Sequence, residues 1–371
     1  MRLDPGLSLL HVTSDTVQIG SGARSTQLSG CSPAALDYLR ELASGILDGR
    51  EAETARKCAL DPAAARELEG ALEEFLRHHD PPVEHGAGHT ADLLAEDLGL
   101  ALALDPLVPV PLPAAEETAE TSTAAEPDPT VVFAQATDTE ERTAELLARR
   151  RATQVQVLGL GRTGAVLAGV LASTGIGRLV LWDRCTVAAA DLGTGYRAAD
   201  LGRSRPVALS RRLEDAGQGT VVLPLTSPER PGPAGTVSVS VTRGAVDYDF
   251  VALARAADHP VLPVVLRDDD ALIGPWFIPG AGGCPLCWDL AAQDSDPYRQ
   301  LRNTALLDQR AGNEDLALAT VAGALAARQA TRWAETGTAP TGVVLRLHGD
   351  GSRVDTLGVP DHPDCGCADA G

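Results

Sequence analysis

Residues 154–183 read QVQVLGLGRTGAVLAGVLASTGIGRLVLWD, and the order of residue types in this stretch decides the fold. Gln154 to Leu158 is a short apolar run of the kind that forms a buried strand. Gly159-Leu160-Gly161-Arg162-Thr163-Gly164 follows at once and fits G-x-G-x-x-G. An Ala- and Leu-rich segment then runs to Ser173 as a predicted helix, residues 179–182 return to a strand, and Asp183 stands at its end. Glycines placed between strand and helix permit a tight turn. They also let a phosphate approach the helix N-terminus, where backbone N–H groups lack partners. An acid after the second strand is placed to hold a ribose hydroxyl. The simpler alternative is that the glycines only pack helix against strand and nothing binds.

The alternation continues outward. Predicted strands cover 221–225, 237–241 and 261–265, and a helix over 139–150 precedes the first strand. A long Ala-rich helix spans 314–335, and 343–347 with 353–357 read as an antiparallel pair. Strand and helix in turn imply an α/β fold, a Rossmann-like parallel sheet covered on both faces, over residues 131–371.

This unit also holds two tight cysteine pairs, Cys284-Pro-Leu-Cys287 and Cys365-Gly-Cys367. Four thiolates in two distant pairs suit a closed tetrahedral Zn²⁺ site with a structural role, and His362 is expected beside it rather than on the metal. The remaining cysteines, Cys31, Cys58 and Cys185, have no neighbours that suggest a reactive thiol. An odd count of seven argues against a disulfide framework and for a reducing, cytoplasmic setting.

Residues 1–80 read as a separate α+β unit. Two short apolar segments flank Ser14-Asp15 as a hairpin, and Ser32-Pro33 opens a helix with Leu36, Leu39, Ala43 and Ile46 inward. A second helix is expected over 51–60 and a third from Asp61-Pro62, with Leu68, Leu72, Phe75 and Leu76 inward. A small sheet with three short helices is a winged-helix pattern. Residues 81–130 carry six prolines between Pro106 and Pro129 and five acids from Glu116 to Asp128, which reads as an acidic linker with a short helix near 91–104. Such a linker would let the first unit swing.

The formal net charge is −20 and Lys57 is the only lysine, which disfavours nucleic acid as a partner and with it a winged-helix DNA binder. No apolar run is long enough to span a membrane, and no secretory leader is expected.

Residues 154–205 resemble the ThiF/MoeB/HesA superfamily of ubiquitin-activating-like adenylyltransferases, on the glycine turn, the segment 173–177 and Asp183. The likeness continues through the cysteine pairs and the long helix. It implies a nucleotide site on Gly159, Gly161, Gly164, Asp183 and Arg205, ATP with Mg²⁺ as cofactors, and pairing of two copies as a homodimer. The chain departs from the family pattern where the chemistry is done. Asp191 stands in place of an asparagine, Thr194 of an arginine and Cys185 of an acid. Arg205 stands near a lysine position, and Arg243 where an acid would hold magnesium, with Asp247 and Asp249 displaced beyond it. Losing these groups together implies a non-catalytic homologue.

LDPGLSLLHVTSDTVQIG and LSGCSPAALDYLRELASGI, in residues 1–80, resemble a RiPP recognition element, which binds leader peptides. Joined to a ThiF-like domain ending in CPLCWDL and HPDCGC, the combination resembles the leader-peptide-binding partner of azole and azoline (TOMM) cyclodehydratases. It implies a peptide or small protein substrate and a separate modifying enzyme that uses ATP, with no such catalytic domain expected after Cys367. The competing expectation is an active adenylyltransferase acting on a sulfur carrier or peptide C-terminus.

Overall fold

The computed structural model describes residues 1–4, 7–21, 25–77, 142–215, 219–225, 236–308 and 314–368. The predicted linker, 81–130, lies outside them.

Strands β1 (Arg2–Leu3), β2 (Leu9–His11), β3 (Val17–Ile19) and β4 (Thr26–Leu28) precede helices α1 (Pro33–Ser44), α2 (Glu51–Lys57) and α3 (Pro62–Ala71), and β5 (Leu76–Arg77) follows. β2 and β3 form the expected antiparallel hairpin, β4 extends it, and β1 pairs with β5. Ser32 caps α1 by accepting from Ala35 N–H at 3.2 Å, and Asp61 caps α3 by accepting from Ala63 N–H at 3.0 Å. In each case proline sits in the first turn, where its missing N–H costs nothing. The inward face of α1 differs from the expected one. Leu36, Tyr38, Leu39 and Leu42 are buried, whereas Ala43 is exposed. Tyr38 can be buried because its hydroxyl donates to Glu69 of α3. Ile46 is buried beyond the helix, which Gly45 ends at φ 102°.

A helix over 142–152, α4, leads into β6 (Gln154–Leu158), α5 (Arg162–Ser173), β7 (Arg178–Trp182), α6 (Arg205–Asp215), β8 (Val221–Pro224) and β9 (Thr236–Arg243). Then come α7 (Tyr248–Ala256), β10 (Val261–Leu266), β11 (Asp270–Ile273), α8 (Pro285–Gln293), α9 (Arg299–Asp308), α10 (Leu316–Thr336), β12 (Val343–His348) and β13 (Val354–Gly358). The sheet order is β13-β12-β11-β10-β9-β6-β7-β8. From β10 to β8 the strands are parallel, as predicted, and the apolar runs of β6, β7, β9 and β10 are buried as a two-sided core requires, whereas β8 at the edge exposes Val221 and Leu223. The expected antiparallel pair, β12 and β13, is not separate. β11 joins it to the same sheet. The charge at the head of β11 hid it from a reading by apolar runs. Asp270 is fully buried, and Arg267 and Arg346 pair with it.

α10 packs along α5. Ala319, Ala322, Ala326 and Ala330 are buried, and at Gly323 a Cβ would lie 2.7 Å from the Thr163 carbonyl oxygen. Small residues at a four-residue repeat allow this approach.

The first unit is seated on the sheet rather than left to swing. Asp268, after β10, accepts from Ser8 N–H at 3.1 Å, Ser8 Oγ at 3.2 Å and Ser21 N–H at 2.9 Å, and pairs with Arg243 at 3.2 Å. Leu10 packs beside this point with Ala245 and Leu306. Among the described residues no helix is long and apolar enough to cross a membrane.

Candidate functional site

The glycine turn joins β6 to α5 as its spacing predicts. Gly159 has φ 87°, and a Cβ there would meet the Val241 carbonyl oxygen at 2.1 Å. A Cβ at Gly164 would meet the Gly159 carbonyl oxygen at 1.9 Å, so this glycine lets the helix fold back on its own turn. Gly161 is the N-cap of α5 and has no side chain to cap with.

Asp183, at the end of β7, accepts from Leu160 N–H at 2.6 Å and from Cys185 N–H at 2.7 Å. The acid after the second strand therefore binds the turn itself. Arg205, at the start of α6, reaches into the same place. It donates to Asp183 at 3.2 Å and grips Asp191 through Nε at 3.0 Å and Nη2 at 2.8 Å. These side chains are 12% (Arg205), 7% (Asp183) and 6% (Asp191) exposed, so the guanidinium is held between two carboxylates with little water. Burial opposes the charge on Arg205, but the fields of Asp183 and Asp191 outweigh it and push its pKa up. Asp191 also accepts from Ala188 N–H at 2.8 Å, and Tyr196 donates to the Leu160 carbonyl at 2.8 Å.

Glu314, which enters the turn from just before α10, has no motif in the sequence that marks it. Its Oε2 accepts from Thr163 N–H at 2.9 Å and Thr163 Oγ1 at 2.7 Å, and its carbonyl accepts from Arg162 Nη1 at 2.7 Å. A Cβ on Gly161 would lie 2.3 Å from Glu314 Oε1.

The other residues that depart from the family pattern have partners of their own. Thr194 is buried, and its Oγ1 is 3.5 Å from the Asp191 carbonyl. Arg243 is on Asp268, and Asp247 caps α7 by accepting from Phe250 N–H at 3.0 Å.

The four cysteines meet at a second place. Cys284 is the N-cap of α8, Pro285 starts the helix, and Cys287 follows one turn in. Cys365 and Cys367 come to them across Gly366, whose φ is 60°. Sulfur separations are 3.8 Å (Cys284–Cys287), 3.5 Å (Cys284–Cys365) and 3.4 Å (Cys287–Cys367), and all four ligand atoms lie within 4.8 Å of one another. Four sulfurs at about 2.3 Å from a tetrahedral zinc would be about 3.8 Å apart, so the cluster can hold such an ion. Burial pushes the Cys284 thiol up and that of Cys365 to about 11. Deprotonating four buried thiols together would need a cation to offset the charge. His362 stands outside the cluster, bonded to Asp294 at 3.2 Å and accepting from Asp364 N–H at 3.2 Å.

Comparison with known proteins fits this architecture. Residues 135–256 match the ThiF family. No curated protein matches the sequence. The structure of E. coli MccB with AMPCPP and MccA superposes with a TM-score of 0.50 at 14% identity, covering 99% of this chain and 98% of that one. E. coli MccB alone gives 0.50 at 15% identity, covering 99% and 96%. Identities this low speak for fold and not for activity. The glycine turn, Asp183 and Arg205 thus lie within residues 135–256, the stretch that matches the ThiF family, in a chain that shares the fold of E. coli MccB along its length.

Proposed function

We propose that this chain is a peptide-recognition and scaffold protein for a separate modifying enzyme, of the kind used in RiPP biosynthesis, and that its ThiF-type domain does not adenylate. The observation that carries the reading is Arg205. Adenylation needs cations on the phosphates and an acid on magnesium. Arg205 is instead shared between Asp183 and Asp191, and Arg243, at the end of β9, is paired with Asp268. The nucleotide residues Gly159, Gly161, Gly164, Asp183 and Arg205 then serve as scaffold.

Residues 1–80 are the recognition unit in this reading, 81–130 the linker and 131–371 the ThiF-like domain, with two copies pairing and the whole working in the cytoplasm. β4 supports the recognition role. Its one strand partner among the described residues is β3, so the other edge can add a peptide as a further strand. β2, the opposite edge, has α9 beside it. Cys284, Cys287, Cys365 and Cys367 would hold one Zn²⁺ with no open coordination position, so the metal would supply structure and not catalysis.

The second reading, an active adenylyltransferase, is favoured by the likeness to a protein solved with AMPCPP. Two measurements on the full chain separate them. ATP–pyrophosphate exchange with magnesium should be absent across peptide and sulfur-carrier substrates. Calorimetry against leader-like peptides with a basic flank should give binding that ATP does not change and that weakens modestly with salt. Exchange lost in Asp183→Ala would establish the second reading. Peptide affinity no tighter than about millimolar, roughly 4 kcal/mol, would end the first.

A further inference from the structure

We propose that Glu314 decides what the glycine turn accepts. Its carboxylate occupies the position of a nucleotide phosphate and keeps nucleotides out. The proposal deepens the non-adenylating reading and rests on the same turn, but it makes a separate claim about a single residue.

The turn offers an anion three things: a backbone N–H at the start of α5, a hydroxyl beside it, and a glycine that lets the anion approach. Glu314 uses all three. Thr163 N–H and Oγ1 both donate to Oε2, at 2.9 and 2.7 Å, and Oε1 lies 2.3 Å from where a Cβ of residue 161 would stand. A negative group at a helix N-terminus is stabilised by the exposed N–H dipoles, whether it is a phosphate or a carboxylate. Both cannot occupy the place, and two anions side by side would repel.

Glu314 is also firmly placed. The Arg162 guanidinium holds its carbonyl. The next residue, Asp315, is the N-cap of α10 and accepts from Leu318 N–H at 2.7 Å. Two adjacent acids thus cap two helices, Glu314 that of α5 and Asp315 its own. Close packing at Gly323 fixes the distance between the helices. Although Glu314 is 151 residues from Thr163 in sequence, the packing of α10 on α5 holds it at the turn. A free nucleotide must displace it at every encounter.

The test uses the full chain and two probes, ATP with magnesium and inorganic tripolyphosphate, by calorimetry. Glu314→Ala should bind both at least about tenfold more tightly than the wild type, the charge-assisted contacts being strong enough for that difference. Glu314→Gln, which keeps the shape and removes the charge, should fall between them and serves if the alanine variant does not fold. Equal affinity in all three proteins, or no binding in any, would overturn the proposal, as would a gain for ATP without one for tripolyphosphate. Pyrophosphate exchange on the same samples keeps the two claims apart. Exchange by the wild type would end both claims; with exchange absent, equal affinities would end the role of Glu314 alone and leave the non-adenylating reading standing.

Discussion

At the scale of single residues, the turn is governed by charge bookkeeping that no linear reading supplies. The glycines and Asp183 could be picked out because a strand, a turn, a helix, a strand and an acid follow one another, and Arg205 because the family resemblance places it near a lysine position. Their partners could not. Asp191 could be read only as an acid out of place, whereas it binds Arg205 through two nitrogens. Glu314 has no local feature that points to a turn so far away in sequence. Arg205→Ala should therefore act first on stability. It would leave Asp183 and Asp191 facing each other with little water, at a cost of about 3 kcal/mol by urea unfolding. Arg205→Lys should recover only part of this, since an ammonium cannot serve both carboxylates in the same plane. A loss within about 0.5 kcal/mol of the wild type for the alanine variant would mean that water reaches the pair and screens it.

At the scale of elements, periodicity was a good guide wherever one face or both faces are apolar. β6 and α5 have the bounds that their residues predict, and the parallel strands β7 to β10 lie within one or two residues of expectation. Elements went unseen where polar residues interrupt the pattern. β11 begins on buried Asp270, and α9 follows Asp289, which accepts from Arg299 at 2.8 Å and from Asn303 at 3.1 Å. α8 was masked by the cysteines at its head. That helix gives the cluster a direct test. If the four sulfurs hold a metal, purified protein should contain one zinc per chain by elemental analysis. Cys284→Ser should release it and lower the melting temperature, because α8 and the tail around Gly366 then lose their common anchor. Metal-free wild-type protein with undiminished stability would exclude the site.

At the scale of the whole molecule, the first unit and the sheet share a buried acid. The expectation of a swinging first unit came from the composition of residues 81–130, which says how far a tether reaches but not whether its ends dock. The Asp268 side chain is 1% exposed and gathers donors from Ser8, Ser21 and Arg243. Asp268→Ala should release the hairpin of β2 and β3. Hydrogen exchange should rise over residues 8–21 while β6 and β9 stay protected. Unchanged exchange there would show that Leu10 and its apolar neighbours hold the unit by themselves.

The cysteine cluster also bears on the order in which the molecule is made. Its sulfurs come from segments 80 and 81 residues apart, and α9, α10, β12 and β13 all lie between them. On the ribosome, Cys284 and Cys287 must wait roughly 4–16 s for their partners at about 5–20 residues per second. During that interval α9 and the start of α10 are made without a cross-link to constrain them. The cluster can close only after every element between the two pairs has been synthesised, so it ties together segments that the chain delivers at opposite ends of that interval.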